Sequence, residues 1–223
     1  MSIVAALILP LVLGQASTAP TGQLGERFAR CLELIESNPA DAYEEGMAWA
    51  AEAQSVHAYR CAAMALLAQN RFDEGARRLQ SLASAVAPEN TGLRAELWSQ
   101  AGNAWLLARE PGNARSQFTR AISALQSDTA QLPDLLIDRA RAYAMERDWR
   151  PAEEDLSRAL DIRPNDPLAL RLRAAARMNQ RSFDLAQADA MAAVRLEPGN
   201  EENTLVLGDV RESIRTGVPY ERP

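Results

Sequence analysis

The sequence contains no lysine and only one histidine, His57. Without lysine, neither a phosphate-binding loop of the G-x-x-x-x-G-K-[ST] type nor Schiff-base chemistry can be built. The lone imidazole has no second histidine with which to complete a metal site or a hydrolase triad. The motifs G-x-G-x-x-G and H-E-x-x-H are also missing. We therefore interpret His57 as a partly exposed helix residue.

Glycine, proline and aromatic residues are scarce as well. The 223 residues include 11 Gly and 12 Pro, and aromatic residues make up 5%. This composition excludes a fibrous or low-complexity chain. A hydrophobic fraction of 47% allows a sizeable core without metals. All 24 basic residues are arginine, 30 residues are acidic, and the net charge of −6 argues against a broad basic face for nucleic acid.

Long uncharged hydrophobic runs are rare, and the clearest one lies near the start of the sequence, at Ile3 to Gly14. Twelve residues are too few to span a bilayer but suit the apolar core of a secretory signal peptide. We predict a signal peptide at 1–16 or 1–19 and therefore export, into a bacterial periplasm or otherwise out of the cytoplasm. A docked N-terminal helix or an uncleaved membrane anchor is the alternative.

From Leu24 to Gly217, apolar residues recur at three- and four-residue spacing between regular turn signals, which predicts an all-α chain. Parts of the pattern repeat after 34 residues. Trp149 to Ala152 matches Phe183 to Ala186, and the pairs Ala159/Ala193 and Pro164/Pro198 keep the same distance.

The segment Trp98-x2-Ala101-Gly102-x2-Trp105, followed by Ala114, Phe118 and Ala121, resembles the tetratricopeptide repeat (TPR). The resemblance implies an α-solenoid of antiparallel helix pairs that forms a right-handed superhelix, closed by a C-terminal capping helix. Arg139 and Arg177 depart from the motif, which has Leu and Tyr there, and we expect less certain packing around Arg177. Small residues mark successive copies at Ala42, Gly75, Ala114, Ala152 and Ala186. We expect three segments: a signal peptide at 1–19, a solenoid at 20–217 and a disordered tail at 218–223. Within the solenoid, the expected repeats lie at about 23–55, 56–94, 95–132, 133–166 and 167–200, and the capping helix at 201–217.

The two cysteines, Cys31 and Cys61, are 30 residues apart, close to one repeat length. The resemblance places them on the first helices of successive repeats, which run side by side. In an exported protein this arrangement favours a disulfide, which would stabilise the fold by about 3–4 kcal/mol in the chain-entropy model. Two buried free thiols are the alternative. The absence of a C-x-x-C motif argues against a catalytic thiol.

In TPR proteins the concave surface formed by the first helices usually binds an extended peptide or a partner helix. The resemblance projects seven polar and four apolar candidates onto that face. Asn103, Arg141 and Arg171 resemble the basic clamp by which some relatives hold a carboxylate terminus, although the lysines of that clamp have no counterpart. An ordinary solvated helix surface is the alternative. The polar candidates are Arg60, Gln100, Asn103, Asp134, Asp138, Arg141 and Arg171, and the apolar ones are Leu106, Leu107, Met145 and Met178.

Neighbouring carboxylates at Glu44-Glu45, Glu153-Glu154-Asp155 and Glu201-Glu202 are expected at helix starts or on helix surfaces rather than in a catalytic pair. We therefore predict a non-catalytic interaction module or scaffold that binds a protein or peptide partner, with no cofactor, no metal and no membrane span after signal cleavage. A self-associating structural component of a cell-envelope assembly is the alternative. A hydrolase concealed on the helical surface is a third hypothesis, which no motif supports.

Overall fold

The structure, a computed structural model, describes residues 22–125 and 130–222. Within these ranges the chain is all-helical, with eleven α-helices and no strand. No helix in the described part has the length and apolar character needed to cross a membrane. The predicted signal peptide lies outside the described residues. The helices are α1 (Gln23–Ser37), α2 (Pro39–Ala53), α3 (Val56–Ala68), α4 (Phe72–Ala85), α5 (Thr91–Leu107), α6 (Pro111–Ala124), α7 (Leu132–Met145), α8 (Trp149–Ile162), α9 (Pro167–Asn179), α10 (Phe183–Leu196) and α11 (Glu201–Thr216).

Local sequence signals explain where several helices begin. The side chains of Ser55, Asp166 and Asn200 accept hydrogen bonds from the backbone N–H three residues later, at the starts of α3, α9 and α11. Proline occupies the first position of α2, α6 and α9, where its missing N–H leaves no hydrogen bond unmade.

The turns inside repeats two to five share one conformation. Each contains a left-handed residue, namely Asn70, Arg109, Arg147 or Arg181, with φ between 59° and 63°. In each, the next N–H donates to the carbonyl five residues earlier, as in Arg71 to Leu66 and Asp148 to Tyr143. This is the hydrogen bond of a Schellman helix end. The turns therefore reverse the chain in the same way in these four repeats and set the two helices of each antiparallel.

Consecutive helices pack against one another along the whole solenoid. The small landmark residues are buried where the two helices of a pair approach, and the four alanines among them have 0% exposure. At Gly102, a Cβ atom would lie 2.6 Å from the ring of Phe118, so this crossing requires glycine. The predicted all-α solenoid with TPR-like pairing is confirmed.

Helix α11 packs against α9 and α10 and covers the end of the last repeat. Two details differ from the expectation. Helix α5 begins at Thr91, inside the range assigned to the second repeat rather than at residue 95. The expected disordered tail is wrong for residues 218–222, because Gly217 turns the chain in a left-handed conformation and the following residues hydrogen-bond to α11.

Candidate functional site

The first helices of the repeats form one surface. Helix α1 contacts α3, and α5, α7, α9 and α11 contact one another in succession. Side chains join α3 to α5. We call the surface formed by α3, α5, α7, α9 and α11 the first-helix face. All seven predicted polar residues lie on these helices.

Arg60 on α3 forms an ion pair with Glu96 on α5. Its guanidinium also lies 5.6 Å from the ring centre of Phe28 on α1, within range of a cation–π contact. Gln100 donates from Nε2 to the same Glu96 carboxylate at 3.4 Å. Glu96, which was not among the predicted residues, therefore organises this end of the face.

Asp138 on α7 connects two of the predicted clamp residues. Asn103 on α5 donates from Nδ2 to Asp138 Oδ2 at 3.2 Å, and Arg141 donates to Asp138 Oδ1 at 3.0 Å. Desolvation raises the pKa of Asp138 above its ordinary value, although Arg141 and Asn103 act in the opposite direction. Asn103 and Arg141 thus already hold a carboxylate that belongs to the protein itself.

The remaining two polar residues lie apart from this group. Arg171 on α9 donates to the side-chain oxygens of Asn200 at 3.4 Å and Asn203 at 3.3 Å. It therefore ties α9 to the start of α11 and does not join Asn103 and Arg141 in a clamp. Asp134 on α7 pairs with Arg163 at 2.5 Å, in the turn that precedes α9.

The four apolar candidates divide into two groups. Leu107 and Met145, at the ends of α5 and α7, are 47% and 46% exposed. Met178 is only 6% exposed and packs into the core beside Ala174, so its assignment to a binding surface is wrong. Leu106 is partly buried against the core. The repeat periodicity places Met178 on a first helix, but it does not predict that α11 covers this part of α9.

Cys31 and Cys61 form a disulfide that links α1 to α3, with their Cα atoms 6.1 Å apart. Both residues are buried, in a cluster that contains Trp49 and the half-buried Phe28. The bond fixes the first repeat to the second at the N-terminal end of the solenoid.

The interior holds ion pairs that the sequence analysis missed. Arg139 and Asp155 pair through two hydrogen bonds of 2.7 Å, and Arg173 and Asp189 pair in the same way at 2.8 and 2.9 Å. Asp155 is therefore buried and structural, and its expected placement on a helix surface is wrong. Both pairs have a separation of 16 residues and recur after 34, which is the signal that could have revealed them.

Arg177 belongs to the same network. It donates to Glu153 at 2.7 Å and to Asp189 at 2.8 Å. Around Arg177, where the departure from the motif left the packing uncertain, charge pairing joins α8, α9 and α10. Since guanidinium groups occupy these carboxylates, their role is structural. Among the residues the structure describes, no group of three His, Cys, Asp or Glu side chains could hold a metal ion.

No family model matches the sequence. The chain is 29% identical over 118 residues to sperm-associated antigen 1 of Rattus norvegicus. That similarity covers 53% of this chain and only 13% of the rat protein.

Several of the solved structures similar to the chain are TPR proteins. Pseudomonas aeruginosa pilF matches with a TM-score of 0.62 at 19% identity, over 83% of this chain and 81% of that one. YrrB, a TPR protein with an unusual peptide-binding site, matches at 0.59 and 18%, over 78% and 86%. The first TPR domain of Spaghetti (RPAP3), bound to an HSP90 peptide, matches at 0.51 and 24%, over 56% and 95%. At these identities the similarity establishes a TPR-like fold.

Proposed function

We propose that the protein is an exported, non-catalytic interaction module that binds an extended segment or a helix of another protein on the concave, first-helix face. The observation that carries this proposal is the row of polar contacts across that face. Arg60–Glu96, Asn103–Asp138 and Arg171–Asn203 each join neighbouring first helices. These contacts fix the side chains in advance, which lowers the entropic cost of binding a partner.

The chemistry of the face suits a peptide of mixed character. Polar groups in the row can exchange or share hydrogen bonds with a peptide backbone, while Leu107 and Met145 offer exposed apolar contacts beside them. The similar TPR domain of Spaghetti (RPAP3) was solved with an HSP90 peptide, and YrrB is described as having a peptide-binding site. These examples support peptide binding by the same fold.

Selection from a random peptide-display library against the immobilised protein tests this function. We expect enriched peptides whose Kd rises at least about tenfold in Met145→Asp, because a charge on the face disrupts an apolar contact. Met191→Asp is the matched control, since Met191 is similarly exposed, at 42%, but lies on α10, a second helix. Failure to enrich any peptide, or equal loss of binding in both variants, would contradict the proposal.

Export rests on the apolar segment Ile3 to Gly14 and on the Cys31–Cys61 disulfide, since structural disulfides persist in oxidising compartments. The test is the intact mass of protein recovered from an osmotic-shock fraction of a bacterial host, with thiol alkylation before and after reduction. We expect loss of residues 1–16 or 1–19 and two alkylations only after reduction. Full-length protein with two free thiols would refute export.

A further inference from the structure

The last described residues of the chain fold back along the capping helix. Gly217 reverses the chain, and the N–H of Tyr220 then donates to the buried Oγ of Ser213 at 2.9 Å. Arg222 donates from Nε to Asp209 Oδ2 at 2.8 Å. Two extended residues span about 6.6 Å and one helical turn about 5.4 Å. The segment 218–222, which we call the tail, therefore runs extended and antiparallel to α11.

The tail also reaches the fourth repeat. Glu221 forms an ion pair with Arg147, which lies in the turn after α7 and 74 residues earlier in the sequence. Helix α9 lies between α7 and α11 in the row of first helices. Glu221 and Arg222 thus point toward opposite sides, one to the α7–α8 turn and the other to α11. This alternation is the arrangement of an extended segment that bridges the α7–α8 turn and α11, at one end of the first-helix face.

The charges of the tail match those of the surface. Asp209 is 16% exposed and receives Arg222 directly, while Glu202 on the same helix also attracts it. On the other side, Arg147 is 67% exposed and Glu221 is 68% exposed. Since exposed ion pairs stabilise little, the Glu221–Arg147 contact holds the tail only weakly, which allows a competing segment to displace it.

We propose that the tail is an intramolecular ligand of the first-helix face, displaced by an extended partner peptide in which an acidic residue precedes a basic one. This inference rests on the proposed function and names the chemistry of its partner. A tethered segment acts at an effective concentration of the order of mM. The tail therefore raises the concentration of partner peptide needed for binding and favours partners that match Arg147 and Asp209 together.

A labelled peptide with the sequence VPYERP tests this in the full-length protein. In the double variant Glu221→Ala/Arg222→Ala the tail loses both ion pairs, and we expect the peptide to bind at least about tenfold more tightly than to the wild type. The matched control is Glu212→Ala/Arg215→Ala, which removes an exposed Glu–Arg pair on α11 and should bind like the wild type. Equal binding to wild type and tail variant, or no binding to either at about mM peptide, would overturn the proposal.

Charge reversal tests the assigned contact. Adding Arg147→Glu to the tail variant should weaken VPYERP at least about fivefold, and the peptide VPYRRP should recover the loss. Arg150→Glu, three residues later in the sequence and 85% exposed, should have no such effect. An equal effect of the two substitutions would contradict the contact. A concentration-dependent dimer that disappears in the tail variant would mean that the tail occupies a second copy, and would overturn the intramolecular form.

The library selection separates this inference from the proposed function. Selected peptides that bind the wild type and the tail variant equally would leave peptide binding intact and refute the tail as competitor. A library that yields no peptide, with VPYERP binding only the tail variant, would support the tail contact and refute binding to other proteins.

Discussion

Arg139 and Asp155 form a two-point ion pair between the two helices of the fourth repeat, with both nitrogen–oxygen distances at 2.7 Å. Their side chains are 14% and 5% exposed. Arg139 also donates to the hydroxyl of Thr119 on α6, at 3.2 Å. The hydrogen bond to Asp155 raises the pKa of Arg139 further above its ordinary value. The pair therefore links one repeat internally and joins it to the preceding one.

Removing one partner should strongly destabilise the protein. Asp155→Ala leaves the Arg139 guanidinium without its main partner in a largely buried position, and we expect a loss of about 3 kcal/mol in the free energy of unfolding. Urea denaturation followed by circular dichroism measures this loss. The double variant Arg139→Leu/Asp155→Leu should recover most of it, because apolar packing can replace a buried ion pair.

The control for this experiment is Glu154→Ala. Glu154 neighbours Asp155 in sequence but is 65% exposed and pairs with Arg150 on its own helix. We expect a change within about 0.5 kcal/mol. A comparable loss in Glu154→Ala and Asp155→Ala would show that burial of the pair does not determine its contribution.

The Cys31–Cys61 disulfide should stabilise the N-terminal end of the solenoid. Closing a loop of 30 residues contributes about 3–4 kcal/mol in the chain-entropy model. We expect Cys31→Ser/Cys61→Ser to unfold at lower urea concentration and to be cleaved faster by protease within α1 and α2. The wild type with reductant should behave like the variant, whereas the variant should not respond to reductant. Unchanged stability in the double variant and in the reduced wild type would contradict this contribution.

The fold could be predicted because each repeat uses the same local signals. Small residues such as Ala114 and Ala152 appear wherever two helices approach closely, and their regular spacing is visible in the sequence alone. The projection onto first helices also placed Arg60, Asn103 and Arg171 on the same face. The pairing of these side chains with Glu96, Asp138 and Asn203 depends on how neighbouring helices align, which a single helix does not determine.

The departures from the repeat pattern were harder to interpret. Arg139 and Arg177 replace apolar landmarks, and their carboxylate partners lie on other helices. No local rule of three- or four-residue spacing connects them. The position of the tail was equally hidden, because its contact between Glu221 and Arg147 spans 74 residues. Long-range charge pairing is therefore the feature of this fold that was hardest to predict from the sequence.

The single histidine should report the environment at the start of α3. Burial lowers the pKa of His57 below its ordinary value, Arg60 lowers it further, and Glu96 acts against both. The ring of His57 lies 5.4 Å from that of Phe28. Proton NMR can follow this imidazole without overlap from other histidines, and we expect a midpoint below about 6.5.

The lowered pKa of His57 has a consequence for stability. Below about pH 6.5 the unfolded chain takes up this proton before the folded protein does, so stability is lost as the pH falls through this window. In His57→Gln that contribution disappears. The free energy of unfolding of the wild type, relative to the variant, should therefore decrease between about pH 7 and pH 5. A difference that stays constant, or a midpoint above 6.5, would contradict the lowered pKa.

Two glycines inside helices should respond in opposite ways to alanine. At Gly102 on α5 the new Cβ would lie 2.6 to 2.9 Å from ring atoms of Phe118, which is fully buried and cannot move aside without disturbing the core. We expect Gly102→Ala to destabilise the protein by about 1–3 kcal/mol.

Gly208 on α11 has no atom within 4 Å of its Cβ position. There alanine should stabilise by about 0.5–1 kcal/mol, because it lowers the entropic cost of forming the helix. Thermal and urea unfolding of the two variants measure both effects, and destabilisation by Gly208→Ala would contradict the open space at this position.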